Sequence, residues 1–190
     1  MACTSKLTTD LLNDCATVPK TGLAASSKAV LINQEDIDLT SSTSTGAQIT
    51  DLVLNSGTTG YKLEYVKQLA STNSEYAPST DAVSGFKHNF LGRLLVATND
   101  NAERSQELAN GRYVVVVATP YGGEDKYKVY GWENGLEASE MIYNVDENSG
   151  AITFTLTTPE NAVEPYLYMT FYETDDATSK TAFDSLFASV

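Results

Sequence analysis

Residues Tyr113–Thr119 read YVVVVAT. Four consecutive valines disfavour a helix and favour a strand, because a β-branched side chain is stiff at χ1 and packs well on a pleated surface. Successive side chains of a strand point to opposite faces. An unbroken apolar run is therefore apolar on both faces, and this strand requires cover on both sides. The run falls far short of the ~18 apolar residues of a membrane span.

Toward the C-terminus the pattern stays β. Pro120–Asp125 holds Gly122 and Gly123 and reads as a turn. Lys126–Trp132 (KYKVYGW) and Leu136–Asn144 (LEASEMIYN) follow as strands, with Asn134–Gly135 as a hairpin signal between them. After the Val145–Gly150 turn, Ala151–Thr158 (AITFTLTT) alternates strictly, with Ile152, Phe154 and Leu156 facing one way. Pro159–Pro165 breaks the run, and Tyr166–Glu173 (YLYMTFYE) resumes it with Leu167, Met169 and Phe171 on one face. The tail predicts a last amphipathic turn through Phe183, Leu186 and Phe187.

Toward the N-terminus, Asn99 or Asp100 caps a short helix over Ala102–Leu108 that Gly111 stops. Its apolar side, Ala102, Leu108 and Ala109, is thin, which suits a helix lying against a sheet edge. Phe86–Leu91 and Leu94–Thr98 read as extended, with Gly92 a bend or bulge between them. Lys67–Ser84 is polar and long, and such connections tend to carry function. Thr72, Asn73, Ser74, Glu75, Tyr76 and Pro78 are its candidate assembly residues. Gln48–Leu54 and Tyr61–Val66 predict a hairpin across Asn55–Gly60, and Lys28–Asn33 is the first strand. Residues 1–27 form an arm with a short turn at Thr9–Leu12. The expected fold is all-β, a sandwich or barrel with one short helix, as a single domain over residues 28–190.

The chain has 190 residues, 42% of them hydrophobic and 19% charged, which is the composition of a folded domain. Its net charge of −13 is concentrated from Pro120 onward, where 13 acidic residues stand against 3 basic ones. A nucleic-acid binder displays a basic face, and no run here supplies one. Cys3 and Cys15 sit in the arm, and with no apolar leader segment they are expected as free thiols rather than a disulfide. His88 is the single histidine and reads as a structural strand residue, so no zinc site is expected. No G-x-S-x-G, Walker lysine or G-x-G-x-x-G motif is present. Asp146, Glu147, Asn148 and Gly150 miss the spacing of a calcium loop, and the Glu173, Asp175 and Asp176 cluster reads as a solvated acidic loop. No catalytic residue, metal or cofactor is expected. The 11 tyrosines, crowded with Trp132 into the second half, suit sheet faces and subunit contacts.

Asn110–Glu140, NGRYVVVVATPYGGEDKYKVYGWENGLEASE, resembles the tail proteins of phages infecting Bacteroidetes hosts. Shared features are the strand Gly111–Val117, the Gly122–Asp125 turn, the Val129–Leu136 stretch, a cysteine pair in the arm and the strand Val30–Asp38. The resemblance to major tail tube proteins implies a β-sandwich or barrel with a flanking helix. It also implies hexameric rings stacked around the channel through which DNA is ejected. Its partners would be copies of itself and other virion tail proteins, with DNA passing unbound and no membrane insertion. The subunit would be assembled in the host cytoplasm and reside in the virion tail. Acidic residues facing the channel would keep DNA from sticking, and Glu133, Glu137, Glu140, Asp146 and Glu147 are the candidates. Two other readings stay open: a head–tail connector, tail terminator or capsid accessory protein, and a carbohydrate-binding or adhesin β-sandwich.

Overall fold

The computed structural model describes residues 7, 9–11, 20–24, 28–65, 69–79 and 83–187. Cys3 and Cys15, and so the question of their pairing, lie outside the described residues. The chain is mainly β. Its strands are β1 (Lys28–Asn33), β2 (Thr43–Thr45), β3 (Gln48–Asp51), β4 (Tyr61–Glu64), β5 (Ser71–Ala77), β6 (Gly85–Leu94), β7 (Arg112–Ala118), β8 (Tyr127–Tyr130), β9 (Leu136–Tyr143), β10 (Ile152–Thr157) and β11 (Met169–Phe171). Helix α1 (Asn99–Asn110) precedes β7, and α2 (Asp176–Ser185) closes the described fold.

The valine strand β7 organises everything else. One edge pairs with β1 over Tyr113–Val117. The other edge pairs with β9 at Arg112 and Tyr113, and with β8 from Val115 to Ala118. From β8 the sheet continues through β11 and β3 to β2; from β9 it continues through β10 and β6 to β5. Strand alternation then splits the interior into two cores. Val30, Ile32, Val114 and Val116 face a core shared with Trp132, Phe171, Phe183 and Leu186. Ala29, Leu31, Val115 and Val117 face another, shared with Phe90, Leu136, Phe154 and Leu156. The expected two-sided burial is met: Val114 through Val117 are all 0% exposed. Fully burying one such side chain is worth about 1.5–3 kcal/mol, so this strand anchors both halves.

Several expectations are corrected. β8 and β9 do not form a hairpin. Both run antiparallel to β7, along successive stretches of one edge, so the chain between them kinks without reversing. Gly131 (φ 75°) and Gly135 (φ 70°) supply the left-handed backbone for that kink. The hairpin over Asn55–Gly60 is also absent, because β3 pairs with β2 and β11 while β4 pairs with β1. β6 runs unbroken through Gly92, which lies opposite Phe154; a Cβ there would sit 2.3 Å from the ring, so this glycine makes room for an aromatic ring. The strand ends at Leu94, leaving Leu95 and Val96 exposed.

The polar 67–84 connection holds a seven-residue strand, β5, in register with β6 from Ser71 to Ala77. An edge strand bonded through its backbone does not need the apolar alternation that reveals an inner one. The Tyr166–Glu173 run contracts to β11, and Leu167 is 44% exposed. The tail is a ten-residue helix, a second helix where one was expected; Asp175 caps it by accepting the Thr178 N–H, and Phe183 and Leu186 are buried. Part of the arm belongs to the body, since Leu23 is buried and the Ala24 N–H donates to the Ala118 carbonyl. The short turn expected at Thr9–Leu12 extends outside the described residues.

Candidate functional site

β5, β6, β10 and β9 form one four-stranded unit whose inner face packs on the second core. Its outer face is fixed by register. Ser71, Leu91, Thr155 and Glu140 form one cross-strand row, and Asn73, Asn89, Thr157 and Glu137 form the next. Arg93, Thr153 and Ile142 make a third row, and Glu75 pairs with Lys87. Plain alternation would put Glu137 and Glu140, three residues apart, on opposite faces. A bulge shifts the register of β9 between Thr155 and Leu156, so both carboxylates share the outer face while Leu136, Ala138 and Met141 turn inward.

The proposed channel acids therefore do not form one set. Glu137 and Glu140 stand on this face. Glu133 is exposed in the Gly131–Gly135 kink. Asp146 and Glu147 lie beyond the end of β9, in a turn where Asn144 Oδ1 accepts both of their N–H groups. Nor is the face uniformly acidic. Arg112 forms an ion pair with Glu137, and Lys87 Nζ donates to the carbonyls of Pro159 and Glu160. An exposed ion pair contributes at most about 1 kcal/mol, but it does neutralise the charge locally.

The candidate assembly residues divide as a strand requires. Asn73 and Glu75 lie on the outer face, the Asn73 amide donating to Glu75 at 2.8 Å. Thr72, Ser74 and Tyr76 lie on the other side, where Thr72 Oγ1 donates to the Tyr130 hydroxyl and Tyr76 meets Phe86 edge-on. Pro78 follows the strand at the hairpin tip. Among the described residues β5 pairs only with β6. Its free edge is identifiable group by group. The His88 carbonyl accepts from Thr158 N–H and the His88 N–H donates to Thr158 Oγ1, so both point away from β5. His88 and its partner Ser74 are thus a non-hydrogen-bonded pair, and Ser74 directs its own N–H and C=O to the open side. The same holds for Tyr76, whose partner Phe86 exchanges both backbone bonds with Glu164.

Beneath this unit lies a polar network that the sequence does not announce. His88 and Glu164 are each 1% exposed. His88 Nδ1 accepts the Gly131 N–H at 3.1 Å, which leaves the proton on Nε2 to donate to the Tyr166 carbonyl at 2.9 Å. The Glu164 carboxylate accepts N–H bonds from Glu133 (3.1 Å) and Asn134 (3.0 Å) and the Asn134 amide at 3.3 Å. The Gly131–Gly135 kink, where the chain leaves one half of the sheet for the other, is thereby tied to β6 and to the 158–166 crossover. Nothing in the Pro159–Pro165 break, which also holds the exposed Glu160, singles out Glu164 in the sequence.

Burial holds the His88 pKa below 6.5, against the opposing pull of the Tyr166 carbonyl and the Glu164 carboxylate; the other ionisable neighbour is the Tyr130 ring, edge-on at 5.4 Å. A histidine kept neutral by folding takes up protons more readily in the unfolded chain. Its contribution to stability is complete above pH 6.5 and is lost as the pH falls below that value. The slope is at most about 1.4 kcal/mol per pH unit for one proton. Urea midpoints measured from pH 7.5 down to 5.5 should fall for the parent chain and fall less for His88→Gln; equal slopes would remove His88 as the cause.

Among the described residues, no group of three or more His, Cys, Asp or Glu is placed to hold a metal ion, and no helix is long and apolar enough to cross a membrane. The chain matches no family model, no curated protein and no solved structure.

Proposed function

We propose that this chain is a virion structural subunit of the tail-tube type, which works by assembling with copies of itself into stacked rings and turns over no substrate. The observation that carries this reading is the edge of β5, unpaired among the described residues, beside a polar sheet face. Soluble proteins blunt long edges with short strands, prolines, lysines or covering loops. β5 has seven residues, one charge and no proline. On the far side of the same unit, β9 pairs with β7 only through Leu136 and Glu137 among the described residues, and α1 packs beside it. Two different edges on one unit define a head-to-tail contact, which builds a ring where its rotation closes and an open filament where it does not. The outer face would then line the ring, with Glu140 and the threonines of β10 toward the lumen. Carboxylates there act on passing phosphates within a Debye length, ~8 Å at physiological salt. The resemblance at Asn110–Glu140 points to the same class.

Negative-stain imaging of the purified chain tests this directly. Rings stacked into long hollow tubes are expected. Rings that never stack would favour a connector or terminator, and single particles at every concentration would overturn the assembly reading.

A further inference from the structure

Lys128 on β8 stands between two aromatic rings. Its Nζ lies 3.6 Å from the ring centroid of Tyr168 and 5.8 Å from that of Tyr121. Lys20 approaches the same Tyr121 ring at 5.6 Å, while its Nζ donates to the Pro120 carbonyl and its N–H donates to the Tyr121 hydroxyl. A ring face attracts a cation, so the two tyrosines place these ammonium groups without neutralising them. The chain carries 25 acidic residues against 12 basic ones. Yet the ion pairs among the described residues use Lys62, Arg104, Arg112 and Lys180, and neither Lys20 nor Lys128. A carboxylate is the partner that such a pair of ammonium groups bonds most strongly.

The complement lies at the far end of the subunit. Asp146 and Glu147 are adjacent and exposed on the β9–β10 turn, and neither is in an ion pair among the described residues. Asn144 Oδ1 accepts the N–H groups of both, which fixes the backbone of the turn before any partner arrives. Tyr143 and Val145, 57% and 68% exposed, precede the two acids and suit the half-buried rings of Tyr121 and Tyr168. A subunit cannot fill its own site. Lys128 lies opposite Val117, near the Ala118 end of β7, whereas β9 leaves β7 at Arg112 and runs the other way to Tyr143. Roughly 35 Å of paired strand separates the patch from the turn. We propose that the Lys20–Lys128 patch of one copy receives the β9–β10 turn of a second copy, with Asp146 and Glu147 facing the two ammonium groups. A contact between opposite ends of two copies is head-to-tail and continues from copy to copy. This rests on the self-assembly reading above and gives that assembly an axial contact, distinct from the β5 edge.

A carbodiimide, which condenses an amine with a carboxylate in contact with it, tests this in the full-length chain. Isotope-labelled and unlabelled chains are mixed, treated and digested, and the linked peptides are identified by mass. Peptides of mixed label joining Lys20 or Lys128 to Asp146 or Glu147 are expected. Links from these lysines only to other carboxylates, those of the arm included, or to the turn only within one chain, overturn the proposal. Charge exchange is the second arm of the test. Lys20→Glu with Lys128→Glu, and separately Asp146→Lys with Glu147→Lys, should each abolish tubes, and the chain carrying all four should form them again. Lys20→Glu with Asp146→Lys, both at exposed positions, repeats the exchange where Lys128→Glu fails to fold. Folded chains that stay single after the full exchange overturn the contact. Tubes in negative stain without the mixed links overturn the contact and leave the assembly reading intact. Mixed links in chains that never form rings support the contact and overturn the tube.

Discussion

A Ser74→Pro chain is expected to stay folded and to lose assembly entirely under conditions in which the parent polymerises. Proline removes one backbone N–H and places its ring where that hydrogen pointed. At Ser74 the N–H faces the open side of β5, because His88 opposite spends its own backbone groups on Thr158. The β5–β6 ladder therefore keeps its bonds, and edge strands tolerate proline at such positions. Ser74 Oγ is buried without a hydrogen-bond partner, so its loss removes no bond. Asn73→Pro is the matched control. Its N–H points into the ladder toward Asn89, so that chain should lose stability as well as assembly. Urea midpoints separate the two, and sedimentation or light scattering reads assembly. Tubes of normal length from Ser74→Pro would show that strand addition at β5 plays no part.

How far the sequence exposes this arrangement depends on where each element gets its stability. β7 and β10 are legible because burial is written into their side chains: four valines for a strand covered twice, strict alternation at Ile152, Phe154 and Leu156 for one covered once. α1 is legible from its helix-forming run and its Gly111 stop, although the capping oxygen belongs to Thr98 rather than Asn99 or Asp100. β5 was missed because it is held by backbone pairing, which composition does not record. Gly135 reveals a left-handed residue correctly; whether the chain then reverses or merely kinks is decided by β7, a strand remote in sequence. The shared face of Glu137 and Glu140 depends on a bulge with no glycine to mark it. The open edge itself is an absence of partners among the described residues, visible only once every other strand has been paired.

Glu164→Leu should cost the fold about 2–4 kcal/mol, the largest loss expected from any single polar side chain described. The leucine matches the glutamate in bulk but accepts nothing, so the N–H groups of Glu133 and Asn134 and the Asn134 amide lose their acceptor together. Hydrogen bonds to a charged group are worth about 1.5–3 kcal/mol, and a buried donor left unpaired costs about 1–3 kcal/mol more. Against this, removing a buried charge recovers part of its desolvation cost, and Glu133 is exposed enough for water to reach its backbone. Glu164→Gln should fall between, since its carbonyl still accepts while its NH2 faces donors. Glu160→Ala, exposed in the same crossover, should change stability by no more than about 0.5 kcal/mol. The single tryptophan provides a local readout. Trp132 sits inside the Gly131–Gly135 kink and is 7% exposed, packed in the first core while Leu136 packs in the second. Losing the carboxylate should loosen the kink between these two anchors and shift Trp132 emission to the red before global unfolding in urea. An unchanged urea midpoint for Glu164→Leu, with emission like the parent's, would mean the kink is held by Trp132, Leu136 and His88 without the carboxylate.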